Sequence, residues 1–351
     1  MSENIVAETA ERIFADLADA QSINGAANDG WKTPLWAALT DAGLPLSWVP
    51  EDCDGSGASL ADGFAVAASA GKFAVPVPLV ETMLAGWLLA RAGIPSPAGK
   101  MTVAPARPQD RITLNADGTL GGRVRGVPFA SEAAHIAVIA QSAKGYSIAL
   151  VEASACRIEV GESLGSDASN TVTLDNVRPL AAKPAQGVTQ TSLMQMGAAV
   201  RSLQIAGALE TMLEITVRYS NERVAFEKQI SKFQAVQHNL ARLAGEVAAA
   251  VAAAGSAADA IANSTSFDDA VFLEVASAKV RCAEAAEKGT AIAHQVHGAI
   301  GFSMEHILHR YTLRALGWRD DFGHESYWAT ELGKFVAVRG ADELWPLVAS
   351  R

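Results

Sequence analysis

The stretch RYSNERVAFEKQISKFQAVQHNLARLAGEV, residues 218–247, decides how this chain reads. Arg223 sits between two helical stretches, Phe226 follows three residues later and Gln234 eleven later. Eleven residues make about three helical turns, so a nearly continuous helix would put Arg223 and Gln234 on one face. A guanidinium offers a forked, charge-assisted contact that suits a pyrophosphate. A solvated arginine on an amphipathic helix fits the same spacing, and spacing by itself leaves both readings open.

A second informative stretch is HQVHGAIGFSMEHILHRYTLRALGW, residues 294–318. Gly298 and Gly301 interrupt a helical run there, and a new helix is expected near Ser303. Such a break lets backbone approach a ligand, and the free N–H groups of a helix start bind anionic or polar edges. An ordinary turn between helices would look the same. His297, His306 and His309 have no cysteine or carboxylate cluster beside them, so packing or surface histidines are expected and no metal site.

Working outward, helical periodicity covers Met194–Tyr219, Val224–Ala262, Asp268–His297 and Glu305–Leu316, joined by short loops. That predicts an antiparallel four-helix bundle over residues 190–351. Between residues 101 and 182 the chain is β-type, with RITLN, HIAVIAQ, YSIALVE and TVTLDNV as strands. Asp117-Gly118 and Lys144-Gly145 signal hairpin turns. A small β-barrel is expected there. Residues 1–100 read as an N-terminal α-helical domain, with Val6, Ala10, Ile13 and Leu17 on one helix face and Ser59 placed to cap a helix from Leu60. The Pro-spaced VPVPLV (75–80) cannot be helix interior. The fold class expected is α+β, in the order helices, barrel, bundle.

Composition narrows the function classes. A net charge of −10 argues against nucleic acid, whose phosphates need a basic surface. The most apolar stretch, Val247–Ala262, is mostly alanine and is broken by Gly255, Ser256 and Asp259, so no membrane span is expected. The first 20 residues carry acids and no long apolar core, unlike a signal peptide. Cys53, Cys156 and Cys282 lie far apart and fit a reducing cytoplasm. With 69 alanines and only 6% aromatic residues, closely packed helices are favoured over an all-β fold.

At these motifs the chain resembles the acyl-CoA dehydrogenases, over nearly its whole length. YSNERVAFEKQISKFQAVQH and QVHGAIGFSMEH are similar to two specific family motifs. Trp36, Leu39, Gly43 and Leu44 with the following VPEDCDGSG, and PVPLVET (76–82), are similar to family segments further upstream. The resemblance implies FAD as cofactor and an acyl-CoA as substrate. It implies that Arg223, Phe226 and Gln234 reach the FAD of a neighbouring subunit. It places Gln295, Val296, His297, Gly298 and Ala299 against the adenosine diphosphate part of FAD, and brings Arg201 towards the CoA or acyl end. The β domain would cover the flavin ring, with the substrate between it and the bundle.

The departures from the family pattern are as informative. MTVAPARPQDRITLN is shorter than the family's flavin-contacting loop and does not match it. Glu227 and Ala299 stand where the family has glycines. The family's usual catalytic carboxylate, counted from Gln295, falls on Phe322, followed by the expected Gly323. A general base must reach the substrate proton directly. Asp321 and Glu325 are the nearby candidates, although acids around a helix start are also ordinary. Glu210 and Glu214 miss the register of the alternative family site. Lost base with kept Arg/Gln motifs is similar to the short, paired acyl-CoA dehydrogenases that act on steroid side chains, where two unlike chains form an α2β2 assembly. The expected function is α,β-dehydrogenation of an acyl-CoA thioester to the enoyl-CoA, with this chain as the base-deficient subunit. A non-catalytic partner subunit without flavin, and a flavin monooxygenase or oxidase on the same fold, remain as alternatives.

Overall fold

In the computed structural model, residues 4–349 are described. Five helices come first: α1 (Ile5–Leu17), α2 (Ala20–Asn24), α3 (Lys32–Asp41), α4 (Leu60–Lys72) and α5 (Leu79–Ala90). Ser59 caps α4 in a full capping box with Asp62. Gly43, at φ 71°, ends the segment after α3 in the left-handed region that glycine tolerates. α5 begins right after Pro78, within the last two residues of the Pro-spaced stretch, and is buried along nearly its whole length, with Glu81 carried inside.

Eight strands follow: β1 (Met101–Ala104), β2 (Ile112–Leu114), β3 (Leu120–Pro128), β4 (His135–Ser142), β5 (Gly145–Glu152), β6 (Arg157–Glu159), β7 (Ser169–Val177) and β8 (Ala181–Pro184). The main path runs β6-β7-β3-β2-β4-β5-β8, with β1 parallel to the start of β4. Residues alternate along β4: Ile136, Val138 and Ala140 enter a small core inside the sheet, while Ala137 and Ile139 join the main helical core. Both expected turns are present, at Gly118 (φ 82°) and Gly145 (φ 111°). Among the described residues no ladder joins the end strands β6 and β8, so the strand pairing does not establish the expected barrel.

The remaining helices build the bundle. α6 (Gln190–Glu222) leads into a short hairpin of β9 (Val224–Ala225) and β10 (Lys228–Gln229). Then come α7 (Gln234–Ala262), α8 (Asp269–His297), α9 (Leu308–Trp318), α10 (Glu325–Arg339) and α11 (Leu344–Ala349). α6, α7 and α8 pack on one another along their lengths, α9 completes the bundle against α6, and α10 lies along α8. α7 is long and apolar enough by length and composition to cross a bilayer, more than the weak stretch in the sequence suggests. Its inner face, Leu243, Val247, Ala250, Ala254 and Ile261, is buried in the bundle, where an alanine-rich helix packs closely.

Small residues set the spacing between the first helices and the bundle. A Cβ on Gly71 would lie 2.2 Å from the Gln204 carbonyl oxygen, and one on Gly207 would lie 2.3 Å from that of Ala68. α4 and α6 therefore touch backbone to backbone. Gly255 on α7, by contrast, has nothing within 4 Å of such an atom. Urea unfolding should separate the two cases. Gly71→Ala is expected to cost about 3 kcal/mol or more through overpacking, while Gly255→Ala should gain up to about 1 kcal/mol from helix propensity.

Candidate active site and flavin-facing surface

The expected site residues fall into two places with opposite character. The first is an outward surface. Arg223 caps α6 in extended conformation (φ −70°, ψ 122°) and its side chain is exposed. Phe226 and Glu227 then make the two-residue turn of the hairpin, at φ 49° and 65°. Phe226 is 89% exposed, and its ring meets Phe233 edge-on at 6.2 Å. Gln234 is the first residue of α7. The continuous helix considered for Arg223 and Gln234 is thus absent. Ten residues between them form a hairpin and a single 3₁₀ turn, and the two residues do not share a helix face.

The second motif closes α8. Gln295, Gly298 and Ala299 open onto a cavity of about 640 Å³, together with Thr290, His294 and Phe302. Gly298 adopts φ 65° with open space where a side chain would stand. The Thr290 hydroxyl is buried there without a hydrogen-bond partner among the described residues. Phe302 stacks on His294 at 4.3 Å, giving a flat apolar wall. Val296 and His297 behave differently from their motif neighbours, because both are buried and face the core. The His297 ring stacks on Tyr219 at 4.3 Å, and the Tyr219 hydroxyl donates to the His297 carbonyl at 3.3 Å. That contact joins the end of α8 to the helix carrying Arg223. Burial pushes the His297 pKa down to about 4, so the ring is neutral at neutral pH.

The second place is the cleft between sheet and bundle, where the catalytic acid was sought. A space of about 300 Å³ lies there, lined by Ala106, Arg107, Gly126, Asp320 and Asp321. Its inner end is filled by the chain's own side chains. Phe322 is fully buried at φ 54°, and a Cβ on Gly197 would lie 2.3 Å from its ring. Arg201 is 2% exposed and lies 5.8 Å from the Phe322 ring centroid. Its Nη2 contacts Glu81 Oε1 at 2.7 Å and Asp321 Oδ2 at 2.8 Å, its Nε donates to Asp321 at 2.9 Å, and its Nη1 donates to Gln204.

Electrostatics in this cluster are those of a dry interior. Burial raises the carboxyl pKa of both Glu81 and Asp321, against the pull of Arg201. Burial also works against the Arg201 charge, but Glu81 and Asp321 outweigh it and raise the guanidinium further. Lys279, fully buried, donates to the carbonyls of Trp318 and Asp321 at 2.8 and 2.9 Å, and burial takes its pKa down to about 7.

Three expectations change here. Arg201 does not reach towards a CoA, because its guanidinium is consumed inside the protein. Asp321 lines the cleft, yet one carboxylate oxygen is held by two Arg201 nitrogens. Glu325 is the first residue of α10 and pairs with Arg319 at 2.8 Å, the ordinary place for an acid at a helix start. The sequence reading did not find Glu81, Gln204 or Lys279. Lys279 left a signal: it sits among Val275, Ala276, Ala278 and Cys282 on the buried face of α8. Glu81 left one too, as the sole acid in LVETMLAGWLLA.

The family model for the C-terminal domain of acyl-CoA dehydrogenases matches residues 186–319. The chain is 27% identical to acyl-CoA dehydrogenase IpdE2 of Mycobacterium tuberculosis, over 83% of each chain. Residues 186–319 thus match the acyl-CoA dehydrogenase C-terminal domain, and the chain as a whole is similar to acyl-CoA dehydrogenases. The solved Tcur3481-Tcur3483 steroid acyl-CoA dehydrogenase (G363A variant) is similar with a TM-score of 0.82 and 25% identity, covering 95% of this chain and 96% of that one. The ChsE4-ChsE5 complex from Mycobacterium tuberculosis shares the fold, with a TM-score of 0.83, 23% identity and coverage of 96% and 98%.

The buried network predicts the behaviour of variants. Arg201→Met leaves Glu81 and Asp321 unpaired in the interior, which should cost about 3–5 kcal/mol in chemical denaturation. Adding Glu81→Gln and Asp321→Asn should recover part of that loss. His297 supplies a pH test. Its folded pKa lies below its unfolded value of about 6.5, so the unfolded chain binds the extra proton first. Stability is then present above about pH 6.5 and is lost as pH falls towards 4. His297→Phe should flatten the melting temperature across that window.

Proposed function

We propose that this chain is the base-deficient subunit of a heteromeric, FAD-dependent acyl-CoA dehydrogenase, paired with a second acyl-CoA dehydrogenase-like chain in an α2β2 assembly. The reaction is α,β-dehydrogenation of an acyl-CoA thioester to the enoyl-CoA, carried out in the cytoplasm. One observation carries the reading: Arg223, Phe226, Gln295, Gly298 and Ala299 lie open at the surface, while Phe322, where the motif count puts the base, is buried beside the Arg201 network. The paired names of two similar structures support a heteromer, and the word steroid in one of them suggests a bulky acyl group.

The residues fit half of an FAD site. Gln295, Gly298 and Ala299 form a shallow cradle with a flat wall and an unpartnered buried hydroxyl, features suited to an adenosine diphosphate. Arg223 is exposed and free to take the pyrophosphate, with Phe226 and Gln234 beside it on the same connection. Val296 and His297 shape that cradle from behind. The inner cleft does not fit the other half of the chemistry, because Phe322 and Arg201 occupy the base position. FAD, when bound, supplies the hydride acceptor. This chain's residues bind and orient its adenosine end, and the proton-removing carboxylate comes from the partner.

Expressing the chain alone and with a candidate partner tests the proposal. Alone it should be colourless and inactive; with the partner it should form a yellow complex that yields an enoyl-CoA. In that complex Arg223→Ala should weaken FAD retention about 10- to 100-fold, as loss of a charge-assisted contact implies. A yellow, active chain on its own defeats the partner-subunit reading. Unchanged flavin content in the Arg223→Ala complex favours a subunit that does not touch flavin, and a hydroxylated product favours a monooxygenase.

A further inference from the structure

A cavity of about 410 Å³ lies where the N-terminal helices, the sheet and α9 meet, with Phe129 and Asp167 between it and the inner cleft. Trp31 and Lys32 line it from the N-terminal side, Glu132 and Asp167 from the sheet, and Arg310 and Arg314 from α9. Three acids and three bases line it, and Lys100 reaches Glu132 from outside the lining, so one lining base is left without an ion pair. Arg314 donates to Asp167 at 2.9–3.2 Å, and both are nearly buried. Lys32 holds Asp29 at 2.9 Å, and Lys100 holds Glu132 at 3.5 Å. The Arg310 guanidinium has neither ion pair nor side-chain hydrogen bond among the described residues.

That leftover charge is badly placed for a protein with nothing bound. Arg310 is partly buried beside Arg314, and burial followed by this neighbour lowers its pKa to about 10. An unpaired charge removed from water is costly. Arg310 also lies in the first turn of α9, where the helix dipole opposes a cation and favours an anion. The planar guanidinium fork matches a carboxylate in two parallel hydrogen bonds.

We propose that this cavity binds a single carboxylate, held in a forked contact by Arg310 with the rest of the ligand against Trp31. Asp29, Glu132 and Asp167 ring the cavity and reject a second negative charge, so dianions such as inorganic phosphate are excluded. The volume is that of a small-molecule pocket, larger than an aspartate or glutamate side chain would fill. The ligand class is a small organic monocarboxylic acid. The site stands independently of the role proposed for the chain in dehydrogenation.

Fluorine NMR of trifluoroacetate with the full-length chain is the direct test. Saturable line broadening is expected, reversed by excess benzoate and unaffected by inorganic phosphate. Arg310→Met should weaken binding at least tenfold, and Arg310→Lys, which keeps the charge without the fork, by less. Benzoate should raise the melting temperature of the parent chain and leave that of Arg310→Met unchanged. Without ligand, Arg310→Met should melt no lower than the parent, since it removes an unpaired charge. Equal binding by Arg310→Met, no saturable binding at all, or competition by phosphate as strong as by benzoate overturns the proposal. A second arm repeats the titration with the partner chain present. Retained broadening assigns the carboxylate to a free acid, and broadening seen only without the partner assigns it to a partner side chain.

Discussion

The buried guanidinium of Arg201 is the interaction on which the interior depends. It draws Glu81 from α5 and Asp321 from the loop after α9 to one point on α6, so three segments far apart in sequence share one set of contacts. Desolvating these charges costs several kcal/mol per ion, and their attraction repays it only with close geometry and full hydrogen bonding. A well-packed apolar cluster would be at least as stable. What the charges add is position. Arg201 fixes Asp321, Lys279 fixes the carbonyls of Trp318 and Asp321, and between them the loop can run only one way. That path carries Phe322 into the bundle against Gly197.

The consequence is a chain with a filled interior beside an open surface. In an enzyme acting alone, the cleft between sheet and bundle must admit an acyl thioester and hold a carboxylate free for its proton. Here the inner end of that cleft is solid protein. The surface that ends α6 and α8 is instead left open, and it is held to the bundle by the Tyr219–His297 stack. The two features belong together physically. A rigid, filled interior gives the outward residues a fixed platform, because interiors packed at crystal-like density have low compressibility.

The sequence revealed the order of elements because long amphipathic helices and turn-bounded strands carry strong local signals. It failed where the deciding contact is local but atypical. The turn at Phe226-Glu227 puts two ordinary residues at positive φ with no glycine or asparagine to announce it, so the periodicity read as one helix through the hairpin. It failed again where the contact is distant. Arg201 lies 120 residues from both Glu81 and Asp321, and no spacing rule links them. Barrel closure was not legible either, because alternation along a strand shows which residues face a core and does not show whether the ladder closes.

The hairpin itself bears on what covers this surface. Two non-glycine residues at positive φ store strain on the order of 1–3 kcal/mol each. At its tip, Phe226 exposes almost its entire ring to solvent, next to the exposed Val224. Neither feature stabilises an isolated chain. The turn has no glycine to relieve the strain, and among the described residues the ring's aromatic partner is Phe233. A strained turn that presents an aromatic residue outward becomes favourable when another molecule buries the ring, since covering a phenylalanine returns about 1.5–3 kcal/mol. The energetic balance of these few residues thus marks the segment following Arg223 as one that its own chain does little to stabilise.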